Sequence, residues 1–292
     1  MSQFLNRRNF LKAALATGAL AVAAESAIVE PNHPKLVRIE VPLARLPEAW
    51  DGIRIAQMSD FHYDDYFSVV PIRKAIDIVN ELDADLVVLT GDFVTLPPFK
   101  KYLGGSKRAA RFIEPCANLL APLRARHGVL AVLGNHDAAS DPHRITEALQ
   151  AKGIAVLRNR GIPFEKGEQR LWLAGLDDVL ERQSDLELTL RPIPKNEPVI
   201  LLAHEPDVAN AVSNYRVDLQ LSGHSHGGQV RLPLIGAPYL PPLGRKYPRG
   251  LHRIRGLTLY TNIGIGTIRL PVRFWCPPEV TLITLRRMQQ TS

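Results

Sequence analysis

Cysteine is nearly absent: Cys116 and Cys276 are the only two in 292 residues. That excludes a disulfide-built scaffold and leaves either one disulfide in an oxidising envelope or two buried thiols. Cys116 falls in an apolar helical pattern with Phe112, Ile113, Leu119 and Leu120, which suits the buried thiol. No internal repeat, low-complexity tract or linker interrupts the chain, so a solenoid or a string of small modules is excluded, and residues 25–292 read as one α/β domain with a substantial core. No apolar run reaches the roughly 20 residues a spanning helix needs; the stretch from Ala13 to Ala24 holds about 12. Excess charge is small as well. The formal +7 falls to +4 if residues 1–24 leave, because they carry Arg7, Arg8 and Lys12 and no acid. That balance gives little of the broad basic surface a nuclease needs, so nucleic acid is not an expected partner. It still permits attraction to anionic lipid or to phosphorylated substrates.

Against this background, Asp, Asn and His gather in five islands: Asp60-Phe61-His62, Gly91-Asp92, Gly134-Asn135-His136-Asp137, His204, and Gly223-His224-Ser225-His226. Each follows a run of β-forming residues, at Ile53 to Met58, Leu86 to Thr90, Val129 to Leu133, Val199 to Ala203 and Leu219 to Ser222. Strand ends therefore deliver the candidate ligands to one rim of a sheet. Two imidazoles one residue apart, as at His224 and His226, are rare outside metal sites. Taken singly, His204 also reads as a core histidine, Gly134 and Gly223 as turn residues, and Asp137 as a helix cap for which Asp141-Pro142 competes. The donors are imidazole, carboxylate and amide oxygen without thiolate, a set that suits Mn, Fe, Zn or Ni. Anionic phosphate esters repel nucleophiles, and two divalent cations about 3.5–4 Å apart neutralise that charge while making hydroxide available near neutral pH.

The order D-x-H, G-D, G-N-H-D, lone His and G-H-x-H resembles the calcineurin-like metallophosphoesterase superfamily, from Asp60 to His226 with no member missing. The resemblance implies two divalent metal ions: Asp60, His62 and His226 hold one, Asn135, His204 and His224 the other, and Asp92 bridges them. It implies in-line attack by a metal-bridging hydroxide, with His136 facing the substrate to protonate the leaving oxygen and Asp137 orienting His136. It also implies a four-layer α-β-β-α sandwich of two mixed sheets. Thr95 stands where the purple acid phosphatase branch needs a tyrosine ligand, so no ferric–tyrosinate colour is expected. His204-Glu205-Pro206-Asp207, Gly227-Gly228-Gln229, Gly264-Ile265-Gly266-Thr267 and Pro271-Val272-Arg273-Phe274 look like the branch of exported or membrane-associated bacterial phosphodiesterases, which includes UDP-2,3-diacylglucosamine pyrophosphatase-like enzymes. In that setting Arg273 is open between a phosphate contact and a structural ion pair.

Helical periodicity recurs between the islands, at Ile72, Ala75, Ile76 and Val79 and at Ile145, Ala148 and Leu149. The second half reads mainly as strands, at Leu171 to Leu176, Val199 to Ala203, Leu257 to Asn262 and Val280 to Leu285. Arg7-Arg8 before Phe10-Leu11-Lys12 and a short apolar stretch follows the twin-arginine export pattern, with a cleavage site near Ala21-Val22-Ala23 or an uncleaved tether. The expected location is the periplasm or the outer face of the cytoplasmic membrane, with the twin-arginine machinery as a partner and peripheral membrane contact. Two loops flank the expected site, Leu96 to Leu103 and the proline-rich, cation-rimmed Leu232 to Pro248. An apolar loop beside a phosphate-cleaving centre suits an amphiphilic phosphate ester, and it equally suits simple packing onto the domain. The expected function is hydrolysis of a phosphodiester or pyrophosphate in an envelope or lipid-linked substrate. A periplasmic phosphomonoesterase or nucleotidase, or a non-catalytic metal-binding interaction domain, is the alternative.

Overall fold

The computed structural model describes residues 7–96 and 109–288. Among them, twelve strands pair into two six-stranded mixed sheets. The first sheet runs β1 (Lys35–Leu43), β12 (Glu279–Arg287), β2 (Arg54–Met58), β3 (Leu86–Thr90), β4 (Val129–Val132), β5 (Ile154–Val156). The second runs β10 (Gly250–Ile254), β11 (Leu257–Thr261), β9 (Leu219–Ser222), β8 (Val199–Leu202), β7 (Gln169–Gly175), β6 (Arg160–Lys166). Strands β2, β3, β4 and β5 are mutually parallel, as are β7, β8, β9 and β11. The chain's last strand slots antiparallel beside β2 and parallel to β1, which makes the first sheet mixed.

Layering follows from the period of two. In β3, Leu86 and Val88 enter the core between the sheets, while Val87 and Leu89 face the helices. In β8, Ile200 and Leu202 meet that same inter-sheet core, and Val199 and Leu201 face outward. Helices α2 (Val69–Glu81), α3 (Ile113–Leu120) and α5 (Pro142–Gln150) cover the outer face of the first sheet. The short α6 (Leu186–Leu190) and α7 (Ala209–Val212) cover the second. The four-layer α-β-β-α sandwich is thus present. Helix α2 buries Ile72, Ala75, Ile76 and Val79 on one stripe, as its spacing predicts, and each large side chain so buried contributes about 1.5–3 kcal/mol. Helix α5 starts where Asp141 accepts the Arg144 N–H at 3.1 Å ahead of Pro142, so Asp141 is its cap.

Helix α1 (Arg7–Ala24) buries none of its residues. It continues through two tighter or wider turns to Asn32, giving 26 residues long and apolar enough to cross a membrane, a test that signal sequences also pass. The sequence count of about 12 stopped at the first polar positions and missed this helical continuation. Residues beyond Ala24 dock on the domain: Ser26 O accepts the Arg273 N–H at 2.8 Å, and the Glu30 carboxylate accepts the Trp275 and Cys276 N–H groups. Cys116 and Cys276 are both buried free thiols, so the disulfide alternative is not realised.

Candidate metal centre

Strands β2, β3 and β4 of one sheet and β8 and β9 of the other all end at the same rim, each opening directly into one of the five islands. Two stitches hold the sheets together there. Gln57 Nε2 donates to Ser222 O at 2.9 Å across the sandwich, and Ile265 N–H donates to Ser59 O at 2.9 Å. The loops beyond β2 and β3 stay paired, with Asp60 N–H on Gly91 O at 2.9 Å and His62 N–H on Asp92 O at 3.0 Å. Side chains can converge because the backbone leaves ordinary geometry: Asp60, His62, Asp92, His224 and His226 have φ of 52°, 43°, 56°, 70° and 51°. Left-handed non-glycine residues are uncommon, and their concentration on ligand positions is the strain that functional sites store. Gly91 has φ of 94°, the sharp turn expected before Asp92. Gly134 and Gly223 serve close approach instead, since a Cβ would fall on Asp92 Oδ1 at the first and on Ser59 Oγ and Asp60 Oδ2 at the second.

Six of the seven predicted ligands meet in two groups, and the seventh, Asn135, lines the same cavity. Asp60, His62 and His226 form one cluster, Asp92, His204 and His224 another, and the ligand atoms within each lie within 4.8 Å of one another. Asp92 Oδ2 lies between them, 3.4 Å from His62 Nε2 and 3.2 Å from His204 Nε2. His226 Nε2 is 3.4 Å from Asp60 Oδ1 and 3.0 Å from His62 Nε2. His136 joins His62 and Asp92 in a third cluster, which the reading of His136 as a non-ligand did not anticipate.

Imidazole partners show which lone pairs are free. His204 Nδ1 donates to Thr90 O at 2.6 Å, so Nε2 presents a lone pair to the Asp92 carboxylate. Two acceptors 3.2 Å apart repel unless a cation or a proton lies between them. Correspondingly, although burial pulls the His204 pKa down, Asp92 and Asp60 drive it well above the usual histidine value: a proton fills the role of a cation. His224 Nε2 donates to Pro242 O at 2.8 Å, leaving Nδ1 free. His62 Nδ1 pairs with the Thr95 hydroxyl at 3.0 Å, so the residue standing where a tyrosine ligand would be orients a histidine instead. Asn135 Oδ1 and His204 Nε2 are buried with no hydrogen-bond partner. These orphaned donors, converging on shared carboxylates, fit divalent cations of the borderline type.

Electrostatics follow burial. It raises Asp60 to about 6 and lowers His62 to about 3, and it pulls His224 and His226 below the usual histidine value. Asp92 is buried too, yet His204, His136 and His62 hold it well below the carboxylate range. Burial thus favours the neutral form of His62, His224 and His226 and the surrounding imidazoles keep Asp92 ionised, while His204, facing Asp92 and Asp60, is the imidazole whose proton stands in for a cation.

His136 accepts the Leu96 N–H on Nδ1 at 2.9 Å, so its neutral ring carries the proton on Nε2; burial lowers its pKa. It stands edge-on to His62, ring centroids 4.9 Å apart, on the wall of a cavity of about 520 Å³ that opens over the ligands. Asp137 departs from its expected role of orienting His136. Its Oδ1 accepts from Phe93 N and Val94 N at 2.9 and 3.2 Å and its Oδ2 from Gly134 N at 3.0 Å, so it ties the Asp92 loop to the Asn135 loop. Consecutive residues on the helical turn α4 (Asn135–Ala138) point about 100° apart, which turns Asp137 inward while His136 faces the cavity.

Apolar residues form most of the remaining wall, among them Leu180, Pro238, Tyr239, Pro241, Pro242 and Leu270. The Leu232 to Pro248 loop packs onto the domain and also forms part of the cavity wall. Asp207 fastens it through the N–H groups of Arg245, Lys246 and Tyr247, while its middle lines the site. Beneath Leu180, Asp178 and Glu205 form a buried carboxyl pair, and burial with the neighbouring Glu205 pushes Asp178 up to about 9. Arg273 is fully buried and donates to the carbonyls of Ile263, Gly264, Gly266 and Cys276, so it braces the loop and, among the described residues, forms no ion pair; buried there, it does not face the cavity as a phosphate contact. Sequence reasoning missed Arg269, the lysine or arginine that lines the cavity among the described residues; the Gln229 of its own Gly227-Gly228-Gln229 motif was the available signal. Residues 97–103 of the other flanking loop lie outside the described residues.

A family model described as calcineurin-like phosphoesterase matches residues 53–228, more than half of the chain. YkuE of Bacillus subtilis (strain 168), termed a metallophosphoesterase, is 35% identical over 291 residues, covering 97% of this chain and 98% of its own. Phosphodiesterase YaeI of Escherichia coli (strain K12) is 30% identical over 292 residues, covering 96% and 99%. A transmembrane protein with a metallophosphoesterase domain from Danio rerio is 30% identical, over 96% of this chain and 63% of its own. Among solved structures, calcineurin-like phosphoesterase YfkN from Bacillus subtilis is 15% identical with a TM-score of 0.46, over 74% of this chain and 82% of that one.

Proposed function

The chain belongs to the calcineurin-like phosphoesterase family and is a metal-dependent phosphoric ester hydrolase; from that premise we propose a binuclear phosphodiesterase acting on a phosphodiester or pyrophosphate of an envelope or lipid-linked substrate. The observation that carries the binuclear part is Asp92 Oδ2, shared between His62 from one sheet and His204 from the other. Asp60, His62 and His226 would hold one cation, Asn135, His204 and His224 the second, with Asp92 common to both. Bound there, divalent cations supply charge neutralisation at the phosphoryl group and hydroxide near neutral pH. His136, with its proton on Nε2 facing the cavity, donates that proton to the departing oxygen. The phosphoryl group sits at the ligand floor, and the apolar wall of Leu180, Tyr239 and Leu270 takes the hydrophobic part of the substrate.

Membrane proximity draws support from exposure. Leu234, Ile235, Leu270 and Trp275 stand out to solvent, and helix α1 begins at Arg7-Arg8 with no buried residue. The twin-arginine route would carry the chain to the outer face of the cytoplasmic membrane, with residues 1–24 as leader or tether and 25–292 as the enzyme. Changing Arg7-Arg8 to Lys-Lys should strand the precursor in the cytoplasm; unaffected export removes that route. For the chemistry, manganese-loaded protein is assayed on bis-p-nitrophenyl phosphate and p-nitrophenyl phosphate. Faster turnover of the diester is expected. Preference for the monoester would favour the phosphomonoesterase reading, and inertness on both would sink the enzymatic one.

A further inference from the structure

Arg269 sits on the cavity wall on a short segment that is fixed with unusual care. Gln229 Oε1 accepts the Ile268 N–H at 2.8 Å, and its Nε2 donates to Ile268 O at 3.3 Å and Leu270 O at 2.8 Å. Three bonds from one amide thus grip the residues on either side of Arg269 and hold it at φ of 65°. Gln229 itself follows His226 by three residues, so the segment carrying the arginine is registered directly to a candidate ligand. The guanidinium carbon lies 4.9 Å from the centre of the Tyr239 ring, and Nη2 donates to Tyr239 Oη at 3.3 Å. Tyr239 lines the same cavity, so the pair stands together on its wall. Arg269 is also close enough for its charge to act on His136.

The ligand floor neutralises one phosphoryl group. A second negative charge on the same substrate would meet Leu180, Pro238, Pro241, Pro242 and Leu270 and stay uncompensated in an apolar wall, unless Arg269 receives it. A guanidinium presents five N–H donors in a planar fork that matches an oxyanion, and Tyr239 uses one of them. Stacking on Tyr239 fixes the fork before the ligand arrives. We propose that Arg269 is the subsite for a second oxyanion of the substrate, carried on the leaving group, and that Gln229 is the residue that positions it. The assignment rests on the hydrolase reading of the same cavity.

The test compares bis-p-nitrophenyl phosphate, whose leaving group has no anion, with ADP-ribose, whose leaving group is itself a phosphate, on the full-length manganese-loaded protein. Its readout is the ratio of kcat/KM values for ADP-ribose over bis-p-nitrophenyl phosphate. Hydrogen bonds to charged groups are worth about 1.5–3 kcal/mol, so Arg269→Ala should lower that ratio by about tenfold to a hundredfold, mainly through KM. Arg269→Lys should fall between, and Gln229→Ala should move the ratio the same way with the arginine still present. Metal content and the circular dichroism spectrum certify each variant, and where one is unfolded the other two decide. A ratio unchanged in the folded variants overturns the proposal, as does a wild-type enzyme that shows no preference for ADP-ribose. Calorimetric binding of ADP-ribose separates the two readings: binding that depends on Arg269 without any hydrolysis supports the subsite and defeats the hydrolase assignment, whereas hydrolysis of both esters with no dependence on Arg269 does the reverse.

Discussion

Adding one methyl group at Gly223 should disable the centre without unfolding the protein. A Cβ at that position lies 2.8 Å from Ser59 Cβ and nearer still to Ser59 Oγ and Asp60 Oδ2. Carbon contacts are comfortable at about 3.5–4.0 Å, so the Ser59-Asp60 turn must retreat by roughly 1 Å. Both residues are fully buried, and Asp60 is pinned at φ of 52° with its carboxylate on the His224 N–H at 3.0 Å, so there is no empty space to take up the motion. Overpacking of this kind costs about 1–3 kcal/mol of stability. A misplacement of about 1 Å at a reacting centre costs on the order of 100-fold in rate, and disturbing the support of a ligand costs about 10–100-fold in metal affinity. Gly223→Ala should therefore lower kcat on bis-p-nitrophenyl phosphate by about two orders of magnitude and weaken one of two bound metals, read by elemental analysis after dialysis, while thermal unfolding shifts by only a few degrees. Gly256→Ala is the control, since its Cβ would meet nothing within 4 Å. Full metal occupancy with wild-type turnover in Gly223→Ala would refute the claim that this glycine exists to let Asp60 in.

Three further outcomes are expected. His136→Ala should lose about 10²–10⁴-fold in turnover by loss of the proton donor while retaining metal, whereas loss of both metals would contradict its placement. Asp137→Ala leaves the Phe93, Val94 and Gly134 N–H groups buried without an acceptor, so a fall of roughly 3–5 kcal/mol in denaturant-derived stability is expected; a change under about 1 kcal/mol would reject the clamp. For pH, Asp178 is held at about 9 by burial and then by Glu205, against about 4 in an unfolded chain. Its folded value is the higher one, so its contribution is complete below about pH 4 and drains away as pH rises toward 9. Asp178→Asn cannot ionise, and its unfolding free energy should gain on the wild type between pH 5 and 8 by at most ~1.4 kcal/mol per pH unit; parallel curves would refute the shift.

Strand-end placement of all seven candidate ligands was legible because parallel strands deliver their C-terminal residues to one rim, and β-rich runs such as Leu86–Thr90 announce themselves by composition. The four-layer arrangement was legible only through the family pattern, since nothing local says that Glu279–Arg287 returns to pair beside Arg54–Met58. Adjacency misled at Asp137: neighbours in sequence diverge on a helical turn, and the carboxylate went to three backbone donors instead of the ring next door. Arg273 and Arg269 are four apart in one loop and indistinguishable by type, yet four backbone carbonyls swallow the first and an aromatic face receives the second. The placement of Arg269 depends on contacts 30 and 41 residues apart, with Tyr239 and between Gln229 and Leu270, and that of Arg273 on a loop folding back over itself, neither of which residue type announces.

Ownership of the donors is divided between two slabs: Asp60, His62, Asp92 and Asn135 hang from one, His204, His224 and His226 from the other. Cation affinity would therefore gauge how well the slabs mate. Trimming Ile200 or Leu221, which pack between the slabs just before His204 and His224, would be expected to weaken metal affinity at temperatures where the backbone is still folded.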